Sequence, residues 1–306
     1  MSDRPTLQEL VEVQAQFGLP TPALVEKDWF VVKALGAIAA AEKGPFQLVF
    51  QGGTALSRAY GLIQRMSEDI DIKIVSAGPP PRTSLRRLRE SITAELLKAG
   101  FVFDPTNPEH RKSNFEGRYT LYRLPFEPIA AGQGALRPEI HMETSAWPVR
   151  RPPVDRPVTS FIAEAFGRSP EVASMPCAAI VETAAEKFVA LTRRAGAELA
   201  GLQRERDPTL VRHIYDLHVI REHYDATEVV ALAREIMQAD ADTYGHQFPA
   251  YRDNPLGETL RAVAGIAADP GFALGYTTFL RDMVYGEAPD YDAVVATLRS
   301  LAERAR

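Results

Sequence analysis

In the stretch LVFQGGTALSRAYGLIQRMSEDIDIKIV, an apolar strand runs into Gly52-Gly53-Thr54, a short helix follows, and a second strand opens on Asp69-Ile70-Asp71. That order admits few folds. Two glycines after a strand allow positive φ and a close backbone approach, so free amides and the Thr54 hydroxyl can face a phosphate. A helix starting there adds its N-terminal dipole. Side chains two apart on a strand share a face, so Asp69 and Asp71 present their carboxylates together. Paired carboxylates beside a phosphate pocket suit a hard, oxygen-seeking cation such as Mg²⁺. A GG-Thr turn or an Asp-x-Asp strand end is common by itself. The fixed succession of the two is what points to phosphoryl chemistry.

Composition narrows the setting. Apolar residues make up 45% and charged residues 25% of 306, the balance of a globular rather than a disordered chain. The net charge of −5 means that any nucleic-acid contact needs a local basic patch. A single cysteine, Cys177, excludes an internal disulfide and builds no zinc site alone. MSDRPTLQEL lacks the features of a signal peptide, and the apolar run from Phe30 to Ala41 carries Lys33 and is short for a bilayer. These features predict a cytoplasmic protein with no membrane segment. His141, His213, His218 and His223 form no H-E-x-x-H pattern.

The periodicity predicts an α+β fold. Helix is expected from about Thr6 to Ala41, with Thr21-Pro22 as a start signal, and SLRRLRESITAELLKAG is an amphipathic helix closed by Gly100. FVFDP, RYTLYRLPF and LRPEIHMETSA are further strand candidates. RPPVDRPV reads as a Pro-rich connector, which puts a boundary near 150–175: a core over 1–160 with a small mixed sheet flanked by helices, then a mostly helical domain over 161–306. Helices are expected there over about Ala178–Ala195 and Val211–His223.

Gly52-Gly53-Thr54 with Ser67-Glu68-Asp69-Ile70-Asp71 resembles the signature of the AbiEii/AbiGii nucleotidyltransferase toxins, a branch of the DNA polymerase β superfamily that includes the mycobacterial MenT toxins. EKDWFVVKALGAI, AAEKFVALTRR, RHIYDLHVI and FLRDMVYGEAPDYDAVVATL resemble further family segments in the expected order, covering most of the chain. The resemblance implies transfer of a nucleoside monophosphate from an NTP, with Mg²⁺ or Mn²⁺ as cofactor. It also implies a tRNA 3′ end as acceptor, blocked translation, and a cognate antitoxin as partner. A protein hydroxyl as acceptor, or a non-catalytic module of the same fold, are the alternatives.

By the same resemblance, Gly52, Gly53 and Thr54 cradle the triphosphate, and Asp69 and Asp71 bind metal and carry the chemistry. Ser67 faces that pocket and corresponds to a serine that antitoxin-directed phosphorylation targets in some members. Read from its helix alone, Lys187 is a lysine among partly apolar neighbours, and Asp216 is spaced to pair with Arg212. The family match implies instead that Lys187 neutralises phosphate and that Asp216 is an active-site carboxylate aligning Lys187 or Arg212. A third metal carboxylate is expected from LRPEIHMETS, which offers Glu139 and Glu143, and the family's Glu-Ile strand favours Glu139. Basic residues cluster at Arg82, Arg86, Arg87 and Arg89, at Arg111 and Lys112, at Arg193 and Arg194, and at Arg204, Arg206 and Arg212. Arg193 and Arg194, beyond Lys187, are placed to receive an RNA backbone.

Overall fold

The computed structural model describes residues 4–130, 137–203 and 205–306, so Arg204 and Leu136 of the expected basic cluster and strand lie outside the described residues. The chain forms two compact units, Met1–Gly61 with Arg65–Ala178, and Leu62–Gln64 with Ala179–Arg306.

The first unit opens with α1 (Leu7–Phe17), started by a capping box between Thr6 and Glu9, and α2 (Pro22–Ala40), capped by Thr21 with Pro22 in its first turn. α2 is buried nearly all round, including three consecutive charged residues, Glu26, Lys27 and Asp28. Successive helical side chains point about 100° apart, so each reaches a different segment. Glu26 accepts from the backbone of Ile129 and Ala130, Lys27 pairs with Glu68 and donates to the Arg137 carbonyl, and Asp28 accepts from the Phe161 amide at 2.7 Å. Lys27 thereby anchors the residue next to Asp69.

Burial pushes the Asp28 carboxyl up to about 6, against the opposing pull of Arg58. Its folded value lies above its unfolded one, so the folded state binds more protons between about pH 4 and pH 6. Stability from this group is therefore fullest below about pH 4 and falls as pH rises through about 6. Asp28→Asn is expected to remove that slope. Urea midpoints at pH 4.5 and pH 7 should differ less in the variant than in the parent, and equal differences would rule this account out.

Among the described residues, the sheet has seven strands in the order β3-β4-β5-β2-β1-β7-β6. The strands are β1 (Gln47–Gln51), β2 (Asp69–Val75), β3 (Arg111–Asn114), β4 (Tyr119–Pro125), β5 (Glu139–Ser145), β6 (Val154–Val158) and β7 (Val172–Cys177). It is mixed, as expected, but larger than a small core. β2 runs antiparallel to β1 and parallel to β5, and β1 runs parallel to β7. Helices α3 (Gly52–Arg58) and α4 (Arg82–Lys98) follow β1 and β2, and α5 (Phe161–Ala165) lies between β6 and β7. Alternation divides the sheet chemically. Leu48, Phe50, Ile70, Ile72, Ile74, Tyr122, Leu124, Ile140 and Met142 are buried on one face. Full burial of such side chains stabilises by roughly 1.5–3 kcal/mol each. The other face carries the charged residues described below.

Two sequence expectations change here. FVFDP forms no strand. Phe101 and Phe103 are buried as core side chains, their rings against Phe30 and Tyr122, while the backbone has no ladder. RPPVDRPV is not a bare connector: its Val154–Val158 portion is the edge strand β6, where Pro157 is tolerated because an edge has an unused donor side. The first unit accordingly runs on through β6 and β7 to Ala178, beyond the Pro-rich stretch.

The β3–β4 turn holds two non-glycine residues, Phe115 (φ 48°) and Glu116 (φ 59°), in the left-handed region. Each such conformation costs roughly 1–3 kcal/mol, so neighbours must impose it. Arg82 grips Glu116, and the Arg89 guanidinium packs against Gly117, so that a Cβ there would displace it.

In the second unit, α6 (Ile180–Leu199), α7 (Leu210–Val219), α8 (Ala226–Tyr244), α9 (Pro249–Asp253), α10 (Pro255–Ala268), α11 (Pro270–Met283) and α12 (Tyr291–Arg304) pack around α6 and α10. Asp225, Asn254, Asp269 and Asp290 cap four of these helices through their side chains. No helix among the described residues is long and apolar enough to cross a membrane.

Candidate active site

The register of the first unit assembles the polar face row by row. Arg123, His141 and Asp69 form one row, Leu121, Glu143, Asp71 and Gln51 the next, and Tyr119, Ser145, Lys73 and Val49 the third. Asp69 and Asp71 thus share a face, as their spacing requires, with Asp69 exposed and Asp71 half-buried. Since Gln51 pairs with Asp71, the glycine turn emerges beside the carboxylates. Gly52 has φ 80° and lies so tightly against Asp71 that a Cβ there would collide with Oδ2. Both facts require glycine.

Gly53 packs just as tightly. A Cβ would meet the Arg65 guanidinium at 2.5 Å and the Ser67 hydroxyl at 2.8 Å. The Thr54 hydroxyl donates to the Asp69 carbonyl at 2.5 Å and shares a 2.9 Å hydrogen bond with Ser67. It therefore ties α3 to the start of β2, and Ser67 joins the same brace. Gly52→Ala is expected to reduce any Asp71-dependent activity by about a hundredfold, because displacement of the carboxylate by about 1 Å is enough for that. Thermal unfolding should drop by only a few degrees, so a melting curve beside the rate separates the two effects.

The two candidate third carboxylates differ in placement. Glu143 is Asp71's direct neighbour in register, whereas Glu139 lies beyond His141 and is bonded to the His141 Nε2 at 2.7 Å. Burial raises the Glu143 carboxyl above its ordinary value, and the charge of Asp69 adds to this. Tyr119, hydrogen-bonded to Glu143, is pushed up to about 12 by burial and by that carboxylate. Such mutual repulsion among acids is what a cation would relieve. Among the described residues, no three His, Cys, Asp or Glu side chains converge as a ready metal cage. The donor set is nonetheless all oxygen, as Mg²⁺ requires.

Lys73 and Arg65, both buried, escape a motif search. Lys73 is legible afterwards as the next residue in Asp69's alternation. Arg65 has no local signal.

In the second unit, the Lys187 ammonium on α6 lies 2.8 Å from Asp216 Oδ2 on α7, with exposures of 7% and 0%. The structure thus brings together two residues 29 apart in the sequence. Arg212 is half-buried on α7. The arginines expected to receive RNA are both paired: Arg193 bonds Asp240 at 2.9 Å and covers the Tyr244 ring, and Arg194 pairs with Asp207; Arg206, from the next basic cluster, pairs with Asp269.

The fold resembles that of MenT4, a nucleotidyltransferase toxin from Mycobacterium tuberculosis H37Rv, at a TM-score of 0.55 and 16% identity, over 97% of this chain and 89% of that one. Comparison with curated proteins gives no match. Residues 33–297 match the family described as nucleotidyl transferase AbiEii toxin, type IV toxin–antitoxin system. The polar face, with its glycine turn locked onto Asp71, is therefore the candidate site of a recognised group of transferases, and the chain belongs to the AbiEii nucleotidyltransferase toxin family.

Proposed function

We propose that this protein transfers a nucleoside monophosphate from an NTP to the 3′ end of a tRNA, with Mg²⁺ or Mn²⁺ as cofactor, and that its cognate antitoxin restrains it. One observation carries the reading: the Gly52-Gly53 turn is packed against Asp71, which stands level with Glu143 on one sheet face. A triphosphate at the turn would find the N-terminal end of α3 on one side and carboxylates on the other.

Asp69 and Asp71, with Glu143 as third carboxylate, would hold the divalent cation, and Glu139 orients His141. A cation held by these carboxylates would supply neutralisation of phosphate charge and a lowered pKa for the attacking hydroxyl. The residues themselves do the positioning. The Thr54–Ser67 brace fixes the start of β2, Lys27 holds Glu68, and the Tyr119 hydroxyl orients Glu143. By the family resemblance alone, Lys187 has the role of a point charge for the triphosphate, and Asp216 holds its ammonium.

The test is incubation of purified protein with total tRNA, Mg²⁺ and each α-labelled NTP, beside Asp69→Ala. Asp69-dependent label on tRNA 3′ ends is the expected result. Asp69-dependent label on protein alone would transfer the reading to protein nucleotidylation, and none on either would overturn the catalytic proposal.

A further inference from the structure

Beyond the catalytic face, the same sheet presents an aromatic and basic surface at the other end of its strands. Phe115, at the β3–β4 turn, is 77% exposed, and Trp147, just past β5, is 50% exposed. They belong to one surface: the Ala146 amide donates to the Arg118 carbonyl at 2.7 Å, which lays the end of β5 along the turn. A large ring held outward at φ 48° is not a by-product of flexibility. Arg82 bonds Glu116 and Arg89 donates to the Gly117 carbonyl, so the turn is fixed from α4 with the ring facing solvent.

The surroundings are positive. Arg82, Arg86, Lys112 and Arg118 are exposed around the turn, against the carboxylates of Glu90 and Glu116, in a chain whose net charge is −5. Arg82 and Arg86 are paired with Glu116 and Glu90, but those pairs lie in solvent. A solvent-exposed pair contributes little, so a phosphate can replace Glu90 on Arg86, while Arg82 stays on Glu116 and holds the turn. Exposed rings among cations match a nucleic-acid strand, whose bases stack and whose phosphates pair, better than a neutral protein surface.

We propose that this surface, with Phe115 and Trp147 as stacking platforms and Arg118 as phosphate contact, binds an unpaired segment of the acceptor RNA. The proposal rests on the RNA reading above and specifies where the body of that RNA is held. Trp147 lies two residues past the end of β5, on the strand that carries Glu143, so the surface sits beyond the row of Asp71 toward the far end of the sheet. An acceptor extending past the catalytic face reaches it.

The chain has two tryptophans, and Trp29 is 8% exposed, so quenching by a ligand at the surface is expected to come from Trp147. Titration of the full chain with total tRNA is expected to quench it, and the quench should be absent in Trp147→Ala. Phe115→Ala and Trp147→Ala should each weaken tRNA binding by between about five- and a hundredfold, as loss of a stacked base does. Arg118→Glu, which leaves the turn backbone alone, should weaken it and flatten the salt dependence. In all three variants the melting temperature and NTP affinity should match the parent. Parental tRNA affinity in all three variants overturns the surface while the RNA reading stands, provided the parent labels tRNA. A parent that neither binds nor labels tRNA overturns both. Variants that keep tRNA affinity but lose the antitoxin would assign the surface to a protein partner instead.

Discussion

Asp71→Ala is expected to abolish nucleotidyl transfer, lowering the single-turnover rate by at least about a thousandfold, equivalent to ~4 kcal/mol of transition-state stabilisation. Asp71 meets the glycine turn on one side and stands level with Glu143 on the other, so no neighbouring carboxylate can take its place. The fold should survive. Asp71 is half-buried on the polar face rather than in the apolar core, so its truncation leaves the packed face of the sheet intact. A melting temperature close to the parent's, with no transfer, is therefore the signature sought. Transfer retained above a tenth of the parent's rate would remove the carboxylates from the mechanism. The same assay sorts the third ligand: Glu143→Ala should cost at least about a hundredfold and Glu139→Ala less than about tenfold, because only Glu143 shares Asp71's row.

The second large effect concerns stability. Asp216→Ala leaves the Lys187 ammonium buried without the carboxylate 2.8 Å away. Stranding a buried charge in this way typically costs about 3–5 kcal/mol, which corresponds to a fall of about 10 °C in melting temperature. Lys187→Met with Asp216→Leu removes both charges and should recover most of that loss, since an apolar pair of similar volume replaces the ion pair at little cost. If Lys187 acts on the triphosphate, the double variant is stable and inactive. If it is stable and active, the pair is structural and its proposed catalytic role fails. Calorimetry beside the transfer assay reads both quantities on one preparation.

Local sequence determined the parts that depend on local rules. The period of two in DIDIKIV puts Asp69 and Asp71 on one face wherever the strand sits, and a glycine pair after an apolar strand requires a turn. The start of α2 at Thr21-Pro22 follows from the same kind of short-range chemistry. Tertiary structure decided which carboxylate stands beside Asp71, because register across β2 and β5 is set by packing of the apolar face, and a one-residue slip would exchange the faces. It also decided the fate of the basic runs. Arg193 and Arg194 look available in sequence but are paired with Asp240 and Asp207, residues 47 and 13 positions away. The strand in RPPVDRPV formed because β7 offered it a partner and an edge tolerates Pro157, information that no local propensity contains. Sequence thus fixes what a segment can present. The fold decides what that presentation meets, since charge pairing and strand register depend on residues far away along the chain.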